Sequence, residues 1–238
     1  MNFKRHSALR AWIVTLFVSA SSASLSQAAP MLFSGTSSDG HAVSAIANFV
    51  LNDATDTVSV SLQNITPTTL DAGELFTGLD FTIGGLTPTL TSDAGIQRTV
   101  DGTGAYVDTA LPQNLSWSVA SLGSGVYQIN FNPNAKDAII GPPTAGSYAA
   151  ANGSIKGNAG HNPFAAEQAE FELSVPGLQS NSSVQLLTFR FGTTLAPATG
   201  TITTLPEPST LTMAALLAIG LGTHVRKRGV MMAKRVGG

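Results

Sequence analysis

No cysteine occurs in this chain of 238 residues, which removes disulfide frameworks, thiol nucleophiles and cysteine-ligated metals from consideration. The absence does not name a compartment, because exported bacterial proteins often lack cysteine as well. Charge is scarce too, at 11% of residues, and positive charge is almost missing from the middle. Between Ala29 and Leu205 the only cations are Arg98, Lys136, Lys156 and Arg190, against thirteen carboxylates, a net of −9. Such a body repels a polyphosphate, so nucleic acid is excluded as a partner, while cations and neutral glycans remain compatible. Catalytic side chains are equally sparse. Only His41 and His161 lie in the body, and no G-x-S-x-G elbow, H-E-x-x-H pair or P-loop is present. No stretch of the body sustains a 3.6-residue apolar period, which argues against a helical bundle.

What the body does contain is alternation. In HAVSAIANFVL the residues Ala45, Ala47, Phe49 and Leu51 share one face, NDATDT turns the chain, and Val58, Val60 and Leu62 return on a second arm. Leu79, Phe81 and Ile83 alternate before a double glycine. Leu115, Trp117 and Val119 face Tyr127, Ile129 and Phe131 across Gly-Ser-Gly, a second hairpin. Phe171, Leu173 and Val175 form another inward row, as do Leu187, Phe189 and Phe191. Short strands with one apolar face each bury that face best by stacking two antiparallel sheets. The expected fold is therefore all-β, an antiparallel β-sandwich with jelly-roll wiring as one form of it. The stretch 132–168 is too long for an ordinary connection; it is either a functional loop or a partly ordered insertion.

The remaining polar residues have plain readings beside their chemical ones. Ser124 is a turn residue rather than a nucleophile. Asp53 and Asp56 flank a hairpin without the D-x-D-x-D-G spacing of a calcium loop. Glu170 and Glu172 share the solvent face of a strand; as an acid–base pair for glycoside hydrolysis they would need a carboxylate across a cleft. His161-Asn162-Pro163 reads as a turn plugged by Phe164, and Trp117 as a core residue rather than a sugar platform. The sequence thus predicts no catalytic residue, metal site or cofactor.

The two ends are more explicit. MNFKRHSALR is basic, AWIVTLFVSASSA is apolar or small, and SLSQAAP ends in peptidase-compatible residues. This is the pattern of a secretory leader, residues 1–28, cut between Ala28 and Ala29 after export by a Sec-type route. At the other end Leu211–Val225 is apolar or small at nearly every position. At about 1.5 Å per residue it spans about 22 Å, short of a roughly 30 Å hydrocarbon core but within reach of local thinning. Arg226, Lys227 and Arg228 follow directly and would stay cytoplasmic, which places the body outside. Before the apolar run stands Pro206-Glu207-Pro208. Each proline fixes φ near −65° and disfavours helix in the preceding residue, so this segment is expected to be extended just outside the membrane.

Pro206-Glu207-Pro208, the Ser209-Thr210 that follows, the short Leu/Ala/Gly run and the Arg226–Arg228 cluster together resemble the PEP-CTERM sorting signal. That resemblance covers about the last tenth of the chain. A sortase signal would need Thr-Gly where Pro208-Ser209 stands, and a GPI signal lacks the basic stop. What the resemblance implies is processing by an exosortase, a membrane enzyme of Gram-negative bacteria that make exopolysaccharide, with Pro206, Glu207 and Pro208 as the processing motif. GHNPF, FELSVPG and FRFGTT in the body are similar to segments of other proteins with this signal and imply no activity. The expected organisation is a leader (1–28), a β body (29–204), a sorting signal (205–229) with one membrane helix (211–225), and a cytoplasmic tail (230–238). The expected function is that of a non-enzymatic surface or exopolysaccharide-matrix protein, with signal peptidase, an exosortase and extracellular polysaccharide as partners. A lectin-like module binding a glycan or calcium, and a glycan-acting hydrolase, are the alternatives.

Overall fold

The computed structural model describes residues 25–131 and 136–205. The expected leader up to residue 24, Pro206-Glu207-Pro208, the apolar run 211–225 expected to be a membrane helix, Arg226, Lys227 and Arg228 and residues 230–238 lie outside the described residues. Among those described, no helix is long and apolar enough to cross a membrane, and the only helical turn is a 3-10 turn at Ala72–Glu74.

Fifteen strands are found among the described residues. The first twelve are β1 (Leu25–Thr36), β2 (Ala42–Asn52), β3 (Thr57–Asn64), β4 (Phe76–Ile83), β5 (Thr89–Ala94), β6 (Gln97–Val100), β7 (Tyr106–Asp108), β8 (Trp117–Gly123), β9 (Val126–Phe131), β10 (Ile139–Ile140), β11 (Phe164–Ala166) and β12 (Gln168–Ser174). The last three are β13 (Val184–Phe191), β14 (Ala196–Pro197) and β15 (Thr199–Thr204). One sheet has six strands in the order β15-β1-β2-β3-β12-β5. The other has nine, β14-β13-β4-β10-β11-β6-β7 with the β8–β9 hairpin added to β4. All pairs are antiparallel except β10 with β11. Because β1, β2 and β3 follow one another within one sheet, the wiring is a meander there and not the alternation between sheets that a jelly roll requires.

Alternation explains how the sheets meet. Ala45, Ala47, Phe49 and Leu51 of β2 and Val58, Val60 and Leu62 of β3 all point inward and are buried, against Phe81, Ile129 and their neighbours from the second sheet. Rings cross the gap: Phe33 stacks on Phe189 with centroids 4.9 Å apart, Phe49 lies 5.6 Å from Phe81, and Trp117 lies 5.1 Å from Phe171. Such pairs add about 0.5–1.5 kcal/mol each beyond the area they bury. The two predicted hairpins form. In the second, Ser124 and Gly125 both have positive φ, 53° and 76°, and close the two-residue turn whose twist matches the strands. Ser124 is thereby a turn residue.

Leu187 departs from the sequence reading. The register of β13 against β4 skips from Leu186 opposite Phe81 to Thr188 opposite Asp80. Leu187 is therefore the extra residue of a bulge and is 45% exposed, while Leu186 packs against the core. Period-2 arithmetic carried through the bulge puts the wrong leucine inside.

The insertion 132–168 is not a projecting loop where it is described. Ile139, Ile140, Tyr148, Ile155 and Phe164 are buried, and β10 and β11 splice it between β4 and β6. Its backbone groups are met locally: Asn162 accepts the Val100 N–H through Oδ1 at 2.8 Å and donates to the Val100 and Asn158 carbonyls through Nδ2.

Candidate functional site

Of the predicted processing residues, Ala28 and Ala29 lie in β1, and Leu205 is the last described residue before Pro206. β1 pairs with β15 from Met31 opposite Thr204 to Thr36 opposite Thr199. One step further, the Leu205 N–H donates to the Pro30 carbonyl at 2.7 Å. Leu205 immediately precedes Pro206, and Pro30 stands two residues after Ala28, so residues next to the two expected processing points are neighbours in the fold. Gly35 and Gly200 make this pairing tight. A Cβ on either would come 2.3 Å from a backbone oxygen of the other strand, and both would press on the Phe33 ring, so only glycine fits at this crossing.

Ala28 and Ala29 are not outside the fold, as a leader boundary would suggest; β1 begins at Leu25. Its two parts differ, however. Met31–Thr36 is paired on both sides, whereas Leu25–Ala28 pairs with β2 alone, opposite Asn52 to Phe49. The register shifts between Ala28 and Met31, so Ala29 and Pro30 form a bulge. Proline belongs at such a place because it has no N–H to give a ladder. The predicted cleavage point coincides with this break.

Chemistry elsewhere in the body was not visible in the sequence. His41 lies between two carboxylates, with Nε2 3.6 Å from Asp71 and Nδ1 3.5 Å from Glu74. These carboxylates cap the 3-10 turn: Asp71 accepts the Gly73 N–H at 2.7 Å, and Glu74 accepts those of Leu70 and Asp71. The Gly73 bond holds the Asp71 carboxyl below its ordinary range, with Asn152, His41 and Ser154 adding to it against a burial cost. Among the described residues no group of three or more His, Asp or Glu side chains is arranged to hold a metal ion.

Arg98 is the centre of a second cluster. Arg98 is 5% exposed, and its guanidinium forks onto Asp108 with two bonds of 2.7 Å. Nη1 donates to the Tyr148 hydroxyl at 2.9 Å and to Glu167 at 3.0 Å, and the Tyr106 ring lies 4.2 Å beneath. Burial alone would lower the pKa of Arg98; the bonds to Asp108, Tyr148 and Glu167 reverse that and raise it. Burial pushes Tyr148 up to about 12. Its hydroxyl donates to the Gly141 carbonyl at 2.7 Å, so the cluster clamps the insertion to β6 and β7. On the second sheet Asp80 takes the other well-placed cation, with Arg190 donating through Nε and Nη2 at 2.9 and 2.6 Å. Sequence reading found both arginines but not their partners, which lie ten to 110 residues away.

Asp137 is a buried carboxylate with an opposite electrostatic sense. Burial raises its pKa above the usual 3.8, Gln97 partly offsets this, and the nearby Asp93 adds to it. A carboxyl held up in the folded state favours folding while protonated, and that contribution fades as pH rises through the folded pKa. Asp137→Asn keeps an acceptor for Gln97 and removes the buried charge. Its melting temperature should exceed wild type by about 2–4 °C at pH 7 and equal it at pH 3. A variant less stable at pH 7, or one whose gain does not depend on pH, contradicts this account of the residue.

Glu170 and Glu172 stand on the outer face of β12, as alternation predicts. Glu172 accepts the Ser59 hydroxyl at 2.8 Å, and Glu170 accepts Gln168 Nε2. A cavity of about 330 Å³ opens beside Glu170, walled by Ala94, Ile96, Pro112 and Ala166. Glu170 is the only carboxylate among its described lining residues, so the facing pair that glycoside hydrolysis uses is not assembled there. His161 is turned onto its own loop, its Nδ1 2.6 Å from the Ser154 carbonyl. Comparison with protein-family models, curated proteins and solved structures gives no match to this chain. The class that the geometry defines is an all-β body of two largely antiparallel sheets, with Leu205 bonded to Pro30 at the edge of one of them.

Proposed function

We propose that this chain is an exported bacterial surface or exopolysaccharide-matrix protein, processed at both ends and without enzymatic activity of its own. The observation that supports the reading best is the Leu205–Pro30 hydrogen bond, which brings the residue before Pro206 beside the residue two after Ala28. A body tethered first by a leader and then by a tail at neighbouring points faces the membrane the same way in both states.

The sequence of events follows from the residues. Sec-type export delivers the chain, and signal peptidase cuts between Ala28 and Ala29. The apolar run 211–225 then stops in the inner membrane, with Arg226, Lys227 and Arg228 held on the cytoplasmic side by the cost of moving cations across it. Pro206 and Pro208 keep Glu207 extended outside the bilayer, where an exosortase-like enzyme takes the motif and removes the tail. The released body carries net negative charge into the envelope or the extracellular polysaccharide.

Cleavage after Ala28 takes only singly paired residues from β1 and leaves the doubly paired Met31–Thr36 whole. The mature chain should therefore begin at Ala29 and remain folded. Intact-mass analysis of exported protein checks this. Material beginning at Met1, or cut within 31–36, would contradict it.

A further inference from the structure

Sheet edges are where a β protein meets other strands, because each exposes unpaired N–H and C=O groups; natural sheets blunt them with short strands, charge, proline or bulges. Most edges of this body are treated so. In the nine-stranded sheet β14 is two residues long and contains Pro197, and β7 is three residues long and ends in Asp108. The free side of β8 is interrupted by a register shift between Ser121 and Gly123, and its first N–H, on Trp117, is taken by Asp93 at 2.7 Å. In the six-stranded sheet the outer side of β5 is met by the segment 113–117. Gly95 and Gln113 exchange both backbone bonds, at 3.0 and 2.7 Å, and Asp93 also accepts the Leu115 N–H.

β15 is different. Among the described residues it is the terminal strand of its sheet, six residues long and exposed at every position, with an unbroken register against β1. Its sequence, TGTITT, has no proline, and no charged residue lies between Arg190 and Glu207. Threonine and isoleucine are strong strand formers. The Leu205 N–H points to β1. In an antiparallel ladder successive residues turn their backbone groups to opposite sides, so Thr201 and Thr203 also face β1. Gly200, Ile202 and Thr204 therefore present their N–H and C=O groups outward.

We propose that β15 pairs antiparallel with β15 of a second copy of this chain, about a two-fold axis through Ile202, joining the two six-stranded sheets into one. The outward residues are spaced so that the strand is its own complement. Ile202 meets Ile202 of the second copy as a doubly hydrogen-bonded pair, and Gly200 meets Thr204 in both directions. Thr201 then lies opposite Thr203, a favourable cross-strand pair. Ile202, 39% exposed in the single chain, is covered by its mate. The lack of charge selects this partner: a basic or acidic strand finds nothing to pair with on β15. Two copies meet here with no like charges opposed, although each body carries −9. An interface of this kind is isologous and closes at two. The proposal does not depend on tail processing and is tested apart from it.

Because the chain has no cysteine, a single introduced thiol reports the contact. Protein carrying Ile202→Cys, purified from whichever cell fraction holds it, is oxidised and run without reductant. Hydrogen-bonded antiparallel pairs place Cα atoms about 5.5 Å apart, within disulfide range, so most of the chain should become a covalent dimer. Val107→Cys, at the most exposed of the large apolar residues (75%) and on the short β7 edge, should cross-link at least about tenfold less. Adding Thr204→Pro to Ile202→Cys removes one outward N–H per copy without touching a bond to β1. It should cut the dimer about tenfold, the change that about 1.4 kcal/mol produces, with an unchanged circular dichroism spectrum. Equal cross-linking at 202 and 107 overturns the proposal. So does cross-linking at 202 that the proline leaves intact in a folded protein.

Discussion

Replacing Arg98 by alanine should lower the stability of the body by about 3 kcal/mol, the lower end of what breaking a buried ion cluster costs. For a domain of this size that is a fall of about 6–12 °C in melting temperature. The guanidinium gives two bonds to Asp108, one to Tyr148 and one to Glu167 and covers the Tyr106 ring. Alanine leaves all of these without a donor and a gap between the rings. Asp108 and Glu167 keep 33% and 45% of their side chains exposed and recover some hydration, which is why the upper end is not expected. Lysine should rescue little, since an ammonium does not reproduce the fork to Asp108. The damage should be local as well as global, because Tyr148 and Glu167 belong to the insertion. Limited proteolysis between residues 141 and 163 should accelerate before the sheets melt. Thermal denaturation followed by circular dichroism, with proteolysis of the same samples, measures both. A loss below about 1 kcal/mol, the range of an exposed ion pair, would show that the cluster does not hold the insertion in place.

Alternation carried the central strands into view. β2, β3, β4, β9 and β12 each have one face of large apolar residues, and their inward rows are the rows that are buried. The strands that escaped lack that signature. β15 exposes both faces, so its sequence has no contrast to read, and it forms because Gly200 lets it lie close on Gly35. β1 was hidden by the expected leader, because small residues suit a peptidase and a strand equally well. β10 and β11 have two and three residues, below the length at which a period can be recognised. Their place in the sheet is set by pairing with β4 and β6, a long-range choice.

The polar clusters were illegible for a different reason. Arg98, Asp108, Tyr148 and Glu167 span 69 residues, and no spacing rule links them. His41, Asp71 and Glu74 meet only because the 3-10 turn swings both carboxylates toward the start of β2. The processing motifs are the reverse case. The expected leader and sorting signal are linear patterns, so they are legible residue by residue without a fold. The fold adds a hydrogen bond between Pro30 and Leu205, residues close to the two expected processing points, that neither pattern announces.

The largest functional effect should follow from replacing Pro206, Glu207 and Pro208 with alanine. Alanine has the highest helix propensity and proline the lowest, a difference of about 3 kcal/mol per residue. The triple substitution therefore lets helix grow outward from the apolar run toward Leu205, and it removes Glu207, the only acidic residue beyond Leu205. An enzyme that grips an extended, acidic segment loses both features at once, while export and the membrane stop are unchanged. On fractionated cells, with one probe for the body and one for the C-terminus, wild-type protein should leave the inner membrane and lose the tail carrying Arg226, Lys227 and Arg228. The alanine variant should accumulate there at full length. If both proteins keep their tails and stay in the membrane alike, the chain is a tail-anchored protein and the sorting account is wrong.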